Sequence, residues 1–118
     1  MKKSLPKVMT PGGVAFLERC RLATGFWDRL VGLLATESLE AGEGIFIGPC
    51  KQVHTFFMRF PIDAVFVDGE DRVVAIESLA PWRVSGLHWR AKGVYETPVG
   101  HARRLAIRVG EKLELRSC

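Results

Sequence analysis

Five residues of this 118-residue chain have the chemistry to build a site: His54, Met58, Arg59, Asp63 and Glu96. Four of them crowd into HTFFMRFPIDAVFVD, residues 54–68, where an imidazole, a guanidinium and two carboxylates sit among apolar side chains. Asp63 stands between Ile62 and Ala64 in a run that reads as a buried strand. A carboxylate taken out of water must be paired or must accept hydrogen bonds. Asp63 therefore has two readings: it accepts backbone N–H groups and fixes a loop after Pro61, or it belongs to a site. Asp68 has a simpler one, because Asp at the start of a turn bonds its own backbone two residues on.

Each companion carries a structural and a functional reading. In Val53 to Phe60, read as extended, His54, Phe56, Met58 and Phe60 share one face, so His54 is either a satisfied core histidine or a polar group in a pocket. Arg59 is placed to pair with Asp63 across the Pro61 bend or to receive an anion. Glu96, in GVYETPVG, either bonds N–H groups at a helix start or lines the same pocket. Acid–base chemistry would need Asp63 or Glu96 as base and His54 as acid, converging on one substrate atom. Cys50 and His54 are roughly 13 Å apart in an extended chain, too far to share one ion. No metal and no cofactor are expected.

The elements that must position these residues follow from periodicity and punctuation. Residues 1–13 read as a flexible tail ending in Pro11-Gly12-Gly13, and 14–118 as a single globular domain. Val14 to Ala23 reads as a strand. Gly25 to Ala35 reads as the main helix, with Phe26, Leu30, Leu33 and Leu34 on one face and Thr24 as its cap. Further strands are expected at Gly44 to Gly48, Val53 to Phe60, Ile62 to Val67, Arg72 to Leu79, Gly93 to Thr97 and Lys112 to Leu115. Asp68-Gly69-Glu70-Asp71 marks a hairpin. Thr97-Pro98 is expected to open a short helix running to about Leu105. Short strands dominate and no βαβ alternation appears. The fold class is therefore α+β and β-rich: a small, mostly antiparallel, barrel-like sheet with one main helix and one short one.

Composition narrows the function classes. The net charge of +4 is dispersed, without the basic stripe of a nucleic-acid protein, so nucleic acid is not an expected partner. A mildly basic surface suits a small anionic ligand or a peptide. The three cysteines are odd in number and widely spaced, which argues against a disulfide framework and for a reducing compartment. The start MKKSLPKVMTPGG has no apolar core of a secretory signal, and no run reaches the roughly 18 residues of a membrane span. The expectation is a cytoplasmic protein without a membrane partner.

Several blocks, in order, resemble one family. Gly32-Leu33-Leu34, Gly44-Ile45-Phe46, Phe57-Met58-Arg59, Pro61-Ile62-Asp63 with Phe66 and Asp68, then Glu96, Pro98 and Gly100, and finally Gly110, are similar to the domain-of-unknown-function family one hundred and ninety-two. The likeness covers about residues 14 to 116. It implies a compact β-rich, barrel-like fold and carries no biochemical activity or catalytic residues with it. The leading functional reading is a small ligand- or peptide-binding domain with a polar pocket near HTFFMRFPID. The alternatives are an enzyme using Asp63, Glu96 and His54, and an accessory protein whose motif residues are purely structural.

Overall fold

The computed structural model describes residues 5–23, 39–56 and 58–116. Eight strands and one short helix follow in chain order: β1 (Lys7–Met9), β2 (Ala15–Leu17), β3 (Arg19–Ala23), β4 (Glu43–Ile47), β5 (Ile62–Val67), β6 (Val73–Leu79), β7 (Gly93–Pro98), α1 (His101–Arg104) and β8 (Glu114–Arg116). They make two sheets, a three-stranded one ordered β2-β1-β8 and a five-stranded one ordered β3-β4-β7-β5-β6. Pairing is antiparallel except between β3 and β4. The β-rich, mostly antiparallel class is as expected. The barrel is not: the described strands form two sheets rather than one closed ring.

The interior strand β5 explains why. All six residues of β5 are buried, as expected for a strand covered on both faces. Ile62, Ala64 and Phe66 enter one apolar cluster with Ile45, Ile47, Met58 and Val94. Val65 and Val67 enter another with Tyr95, Phe16, Leu17 and Leu113. The second cluster also takes Val8 of β1, so the small sheet covers this face. A sheet packed on two sides has no need to curl around a core of its own. Gly93 allows the close approach of β7 to the core, since a Cβ there would stand 2.4 Å from Phe46 Cζ.

The strand at Ile62–Val67 and the hairpin to β6 stand where the alternation put them. Asp68 Oδ1 accepts from Glu70 N at 2.8 Å and Arg72 N at 3.1 Å, which holds its carboxyl below the usual carboxylate range, Arg72 contributing most. Other expectations need correction. The supposed tail contains β1, whose Val8 is fully buried. Val14 to Ala23 breaks at Glu18: Leu17 pairs with Val8 in one sheet and Arg19 with Glu43 in the other. The short helix starts at His101 rather than at Pro98, because Thr97 and Pro98 are held in β7 by pairing with Asp63 and Ile62. The last strand is shifted to Glu114–Arg116, with Lys112 in an isolated bridge to Arg72. The helix expected over Gly25 to Ala35, and the Gly32-Leu33-Leu34 block, lie outside the described residues.

Val53 to Phe60 is not a regular strand either. Residues 51–55 run beside residues 83–88 as an irregular ribbon. Thr55 N donates to Arg83 O (2.8 Å), Ser85 N to Val53 O (2.9 Å) and His88 N to Lys51 O (2.8 Å). His54 and Val84 form a bridge between them. The chain then turns, with Met58 N donating to Thr55 O at 3.2 Å. Fully buried Thr55 ends the extended pairing by using its hydroxyl on the facing loop: Oγ1 donates to Ala80 O (2.6 Å) and accepts from Arg83 N (2.9 Å).

Candidate functional site

Asp63 is the second residue of β5 and is 2% exposed. Its partners come from β6 and from the entry of α1. Ser78 Oγ on β6 donates to Oδ1 at 2.7 Å. The Gly100 N–H donates to Oδ2 at 3.0 Å and the Ala102 N–H to the same oxygen at 3.3 Å. Gly100 sits at φ +84° at the entry of α1 and offers no capping side chain of its own; the carboxylate of Asp63 satisfies the orphan N–H groups in its place. Of the two readings of Asp63, the fold realises the one in which it accepts backbone N–H groups. The loop it fixes is the distant one at residues 99–102, not the one beside Pro61.

Beside this carboxylate lies an open cleft of about 430 Å³, lined by Asp63, Ile76, Ser78, Val99, Arg103 and Ile107 among others. It opens on the face of the sheet that carries Val65 and Tyr95.

Glu96 is fully buried on β7. Asp63 pairs with Thr97, and Glu96 pairs with Ala64. Directly opposed residues point to the same side, and successive residues to opposite sides. Glu96 thus shares the face of Ala64 and Ile45, and Asp63 shares the other. Met58 is buried in the cluster on the Glu96 side. His54 and Arg59 are exposed. His54 Nδ1 accepts from Phe56 N at 3.3 Å, and its ring stacks on Phe56 with centroids 4.7 Å apart. The five residues singled out from the sequence are therefore not one constellation: Met58 and Glu96 share one face, Asp63 lies on the other, and His54 and Arg59 are at the surface. Cys50 is buried, its Sγ–H donating to Gln52 O at 3.1 Å.

Two further histidines have structural partners. His101 is buried, with Nε2 against Phe16 O. His88 Nε2 lies 2.6 Å from Glu77 Oε2, which also accepts from Gly86 N at 2.9 Å. The His88 ring packs on Phe66, centroids 4.4 Å apart. A second open cleft of about 300 Å³ is lined by Val74, Leu87, His88, Trp89 and Arg90. The Glu77–His88 pair was missed, though a signal existed: Glu77 alternates with Ala75 and Leu79, both packed against the core, so a carboxylate there needs a partner. Burial pushes the thiol of Cys20 up to about 12 and the phenol of Tyr95 up as well. Both groups are neutral packing elements.

These features place the chain among known proteins. A family model described as Uncharacterized ACR, the DUF192 family, matches residues 8–115. The chain belongs to the DUF192 family. Among its members, the UPF0127 protein of Thermococcus sibiricus is 31% identical over 107 residues, covering 86% of this chain and 69% of that protein. The UPF0127 protein of Pyrococcus abyssi is 44% identical over 62 residues, covering 52% of this chain and 53% of that protein's length. A crystal structure of a protein of unknown function from Novosphingobium aromaticivorans superposes with a TM-score of 0.78 at 26% identity, covering 92% of this chain and 83% of that one. Within the matched residues, Pro61-Ile62-Asp63 marks the point where β5 receives the 99–102 loop.

Proposed function

We propose that this protein is a binding module for an extended, acid-bearing peptide, taken along the outer edge of β6 with side chains entering the clefts on either side. One observation carries this reading. The strand β6 ends its sheet, and residues 74 to 78 all keep solvent exposure whichever face they point to. Backbone partners from Gly110 and Glu111 reach Val73. Among the described residues, no backbone–backbone hydrogen bond reaches residues 74–79 from beyond β5.

An open edge presents unpaired N–H and C=O groups, and proteins usually blunt it with charge, Pro or a bulge. The sequence VVAIESL carries a single charge, already engaged by His88. Strand addition supplies main-chain hydrogen bonds, and clefts for alternate side chains supply specificity. One cleft is lined by Ile76, Val99 and Arg103, the other by Val74, Leu87 and Arg90. Each combines apolar side chains with an arginine, beside Asp63 and Ser78 in the first and His88 in the second, and the arginines suit a guest alternating apolar and acidic residues. Asp63 shapes the first cleft instead of reacting in it, since its oxygens are engaged within the fold. The separation of His54, Asp63 and Glu96 gives the acid–base alternative no common point of attack.

An array of ten-residue peptides, graded in acidic and apolar content, tests the proposal. Amide exchange of residues 74–78 is expected to slow on adding a peptide that binds, and Val74→Lys is expected to weaken it at least ten-fold. If no peptide protects these amides, or if Val74→Lys binds unchanged, the reading fails.

A further inference from the structure

The ribbon at residues 51–55 and 83–88, taken with the flanking sequence over 50–60 and 80–92, contains none of the 13 Asp and Glu residues of the chain. It carries Lys51, Arg59, Arg83, Arg90 and Lys92. Its exposed side chains mix apolar residues with Gln52, His54 and the arginines. Val53, Thr55 and Ser85 point inward and are buried. Phe56, Trp82 and Val84 are 38%, 54% and 51% exposed, and Leu87 and Trp89 farther along are 46% and 73% exposed. Exposed apolar side chains are ordinary when scattered singly; a run of them bordered by polar groups marks an interaction site, and here the border is mostly basic, with the Glu77 carboxylate tied to His88 and Gly86 at one side.

The presentation of Trp82 is built. Its backbone lies at φ +62°, a costly conformation for a bulky residue. The Thr55 clamp enforces it: Trp82 N donates to Thr55 O at 2.9 Å, and the flanking Ala80 O and Arg83 N both bond the Thr55 hydroxyl. The fold thus holds a tryptophan in a strained backbone while leaving its side chain at the surface.

We infer that this ribbon docks on an anionic phospholipid surface. Tryptophan settles at the headgroup level. Aliphatic side chains add buried apolar area, and basic residues are drawn to anionic lipid. No helix among the described residues is long and apolar enough to cross a membrane, and surface docking requires none. Single-stranded nucleic acid would share the charge complementarity, but it needs open ring faces for base stacking. Here His54 stacks on Phe56 at 4.7 Å and 27°, and Phe56 lies tilted against Trp82 at 6.0 Å and 31°, while Val84 and Leu87 have no ring to offer. This surface shares Leu87, Trp89 and Arg90 with the second cleft and leaves the β6 backbone edge and the Asp63 cleft outside it.

The test is co-sedimentation of the full chain with vesicles of phosphatidylcholine alone and of phosphatidylcholine with an equal amount of phosphatidylglycerol. Partition into the anionic vesicles only, weakened by salt and accompanied by a blue shift of tryptophan emission, is expected. The double variant Arg83→Glu/Arg90→Glu should lose at least ten-fold in partition. The pair Trp82→Ala/Trp89→Ala should lose both binding and blue shift. Should either pair fail to fold by circular dichroism, Leu87→Ser at its exposed position serves instead, with a loss of a few-fold expected. Absence of partition into anionic vesicles overturns the inference. So does partition unchanged in the folded variants, or competition in which a thymidine oligonucleotide or polyglutamate strips the protein from vesicles at equal charge.

Discussion

Asp63 and Glu96 lie on adjacent strands, one rung apart, and face opposite sides of the same sheet. Their carboxylates are separated by the sheet itself, so each is a separate feature of the fold. Replacing both, as Asp63→Asn and Glu96→Gln, should therefore give nearly additive losses of stability. The double-mutant coupling should stay below about 0.5 kcal/mol, whereas members of one network couple by 0.5–3 kcal/mol. Urea unfolding of the two single variants and the double variant measures it.

Asp63→Ala strips partners from Ser78, Gly100 and Ala102 at once. Hydrogen bonds to a buried charge are worth about 1.5–3 kcal/mol each and the orphaned donors add a desolvation cost, with partial relaxation in compensation. A loss of about 3 kcal/mol is expected, with Ser78→Ala costing about 1 kcal/mol. The 99–104 segment should show the first gain in amide exchange. Equal exchange across the chain would mean that the carboxylate does not hold α1 in place.

Thr55→Val keeps the shape of a fully buried side chain and removes the clamp on Ala80 O and Arg83 N. The cost should be about 2 kcal/mol. Trp82, released from its left-handed backbone, should change its emission and its accessibility to acrylamide. Thr55→Ser, which retains the hydroxyl, should restore the tryptophan signal.

Gly93→Ala places a Cβ 2.4 Å from Phe46 Cζ and 2.7 Å from its Cε1, with Ile47 O at 3.2 Å. The ring must move, and overpacking of this kind costs about 1–3 kcal/mol. Thermal melting of Gly93→Ala, set beside the double variant Gly93→Ala/Phe46→Leu, checks the cause: the smaller side chain should recover part of the loss.

The thiol of Cys20 is pushed from 9.0 up to about 12 by burial. The sign of the linkage is fixed by the unfolded chain, which releases this proton near 9.0 while the folded chain retains it. Stability from this group is thus fully present below pH 9 and is lost as pH rises through 9 toward 12. Cys20→Ala should flatten that part of the stability profile in urea titrations between pH 8 and 11. The folded protein should also leave Cys20 unmodified by iodoacetamide at pH 8, because only the thiolate is nucleophilic.

Much of this was legible in the sequence because it is local. The run Ile62–Val67, apolar on both parities, reads directly as a doubly covered strand, and Asp68-Gly69 sets its hairpin. Gly44 to Gly48 is bounded by its own glycines. Errors came where a partner distant in sequence decided the outcome. Lys7–Met9 looks like a tail until Leu17 and Leu115 pair with Val8. Val53 to Phe60 alternates like a strand, and Thr55 diverts it into a turn by bonding a loop more than twenty residues away. Thr97-Pro98 has the form of a helix start, and the ladder with β5 keeps it extended.

The candidate site divides the same way. The sequence by itself determined that Asp63 is a buried carboxylate in need of partners, since Ile62 and Ala64 flank it in an apolar run; the burial of Glu96 came from the structure. The sequence also determined the acid-free composition of residues 50–60 and 80–92. Only the tertiary structure decided which partners and which faces. Side-chain direction along a strand depends on register, and register is set by the opposing strand. One residue of offset between Asp63 and Glu96 therefore sent the two carboxylates to opposite sides of the sheet.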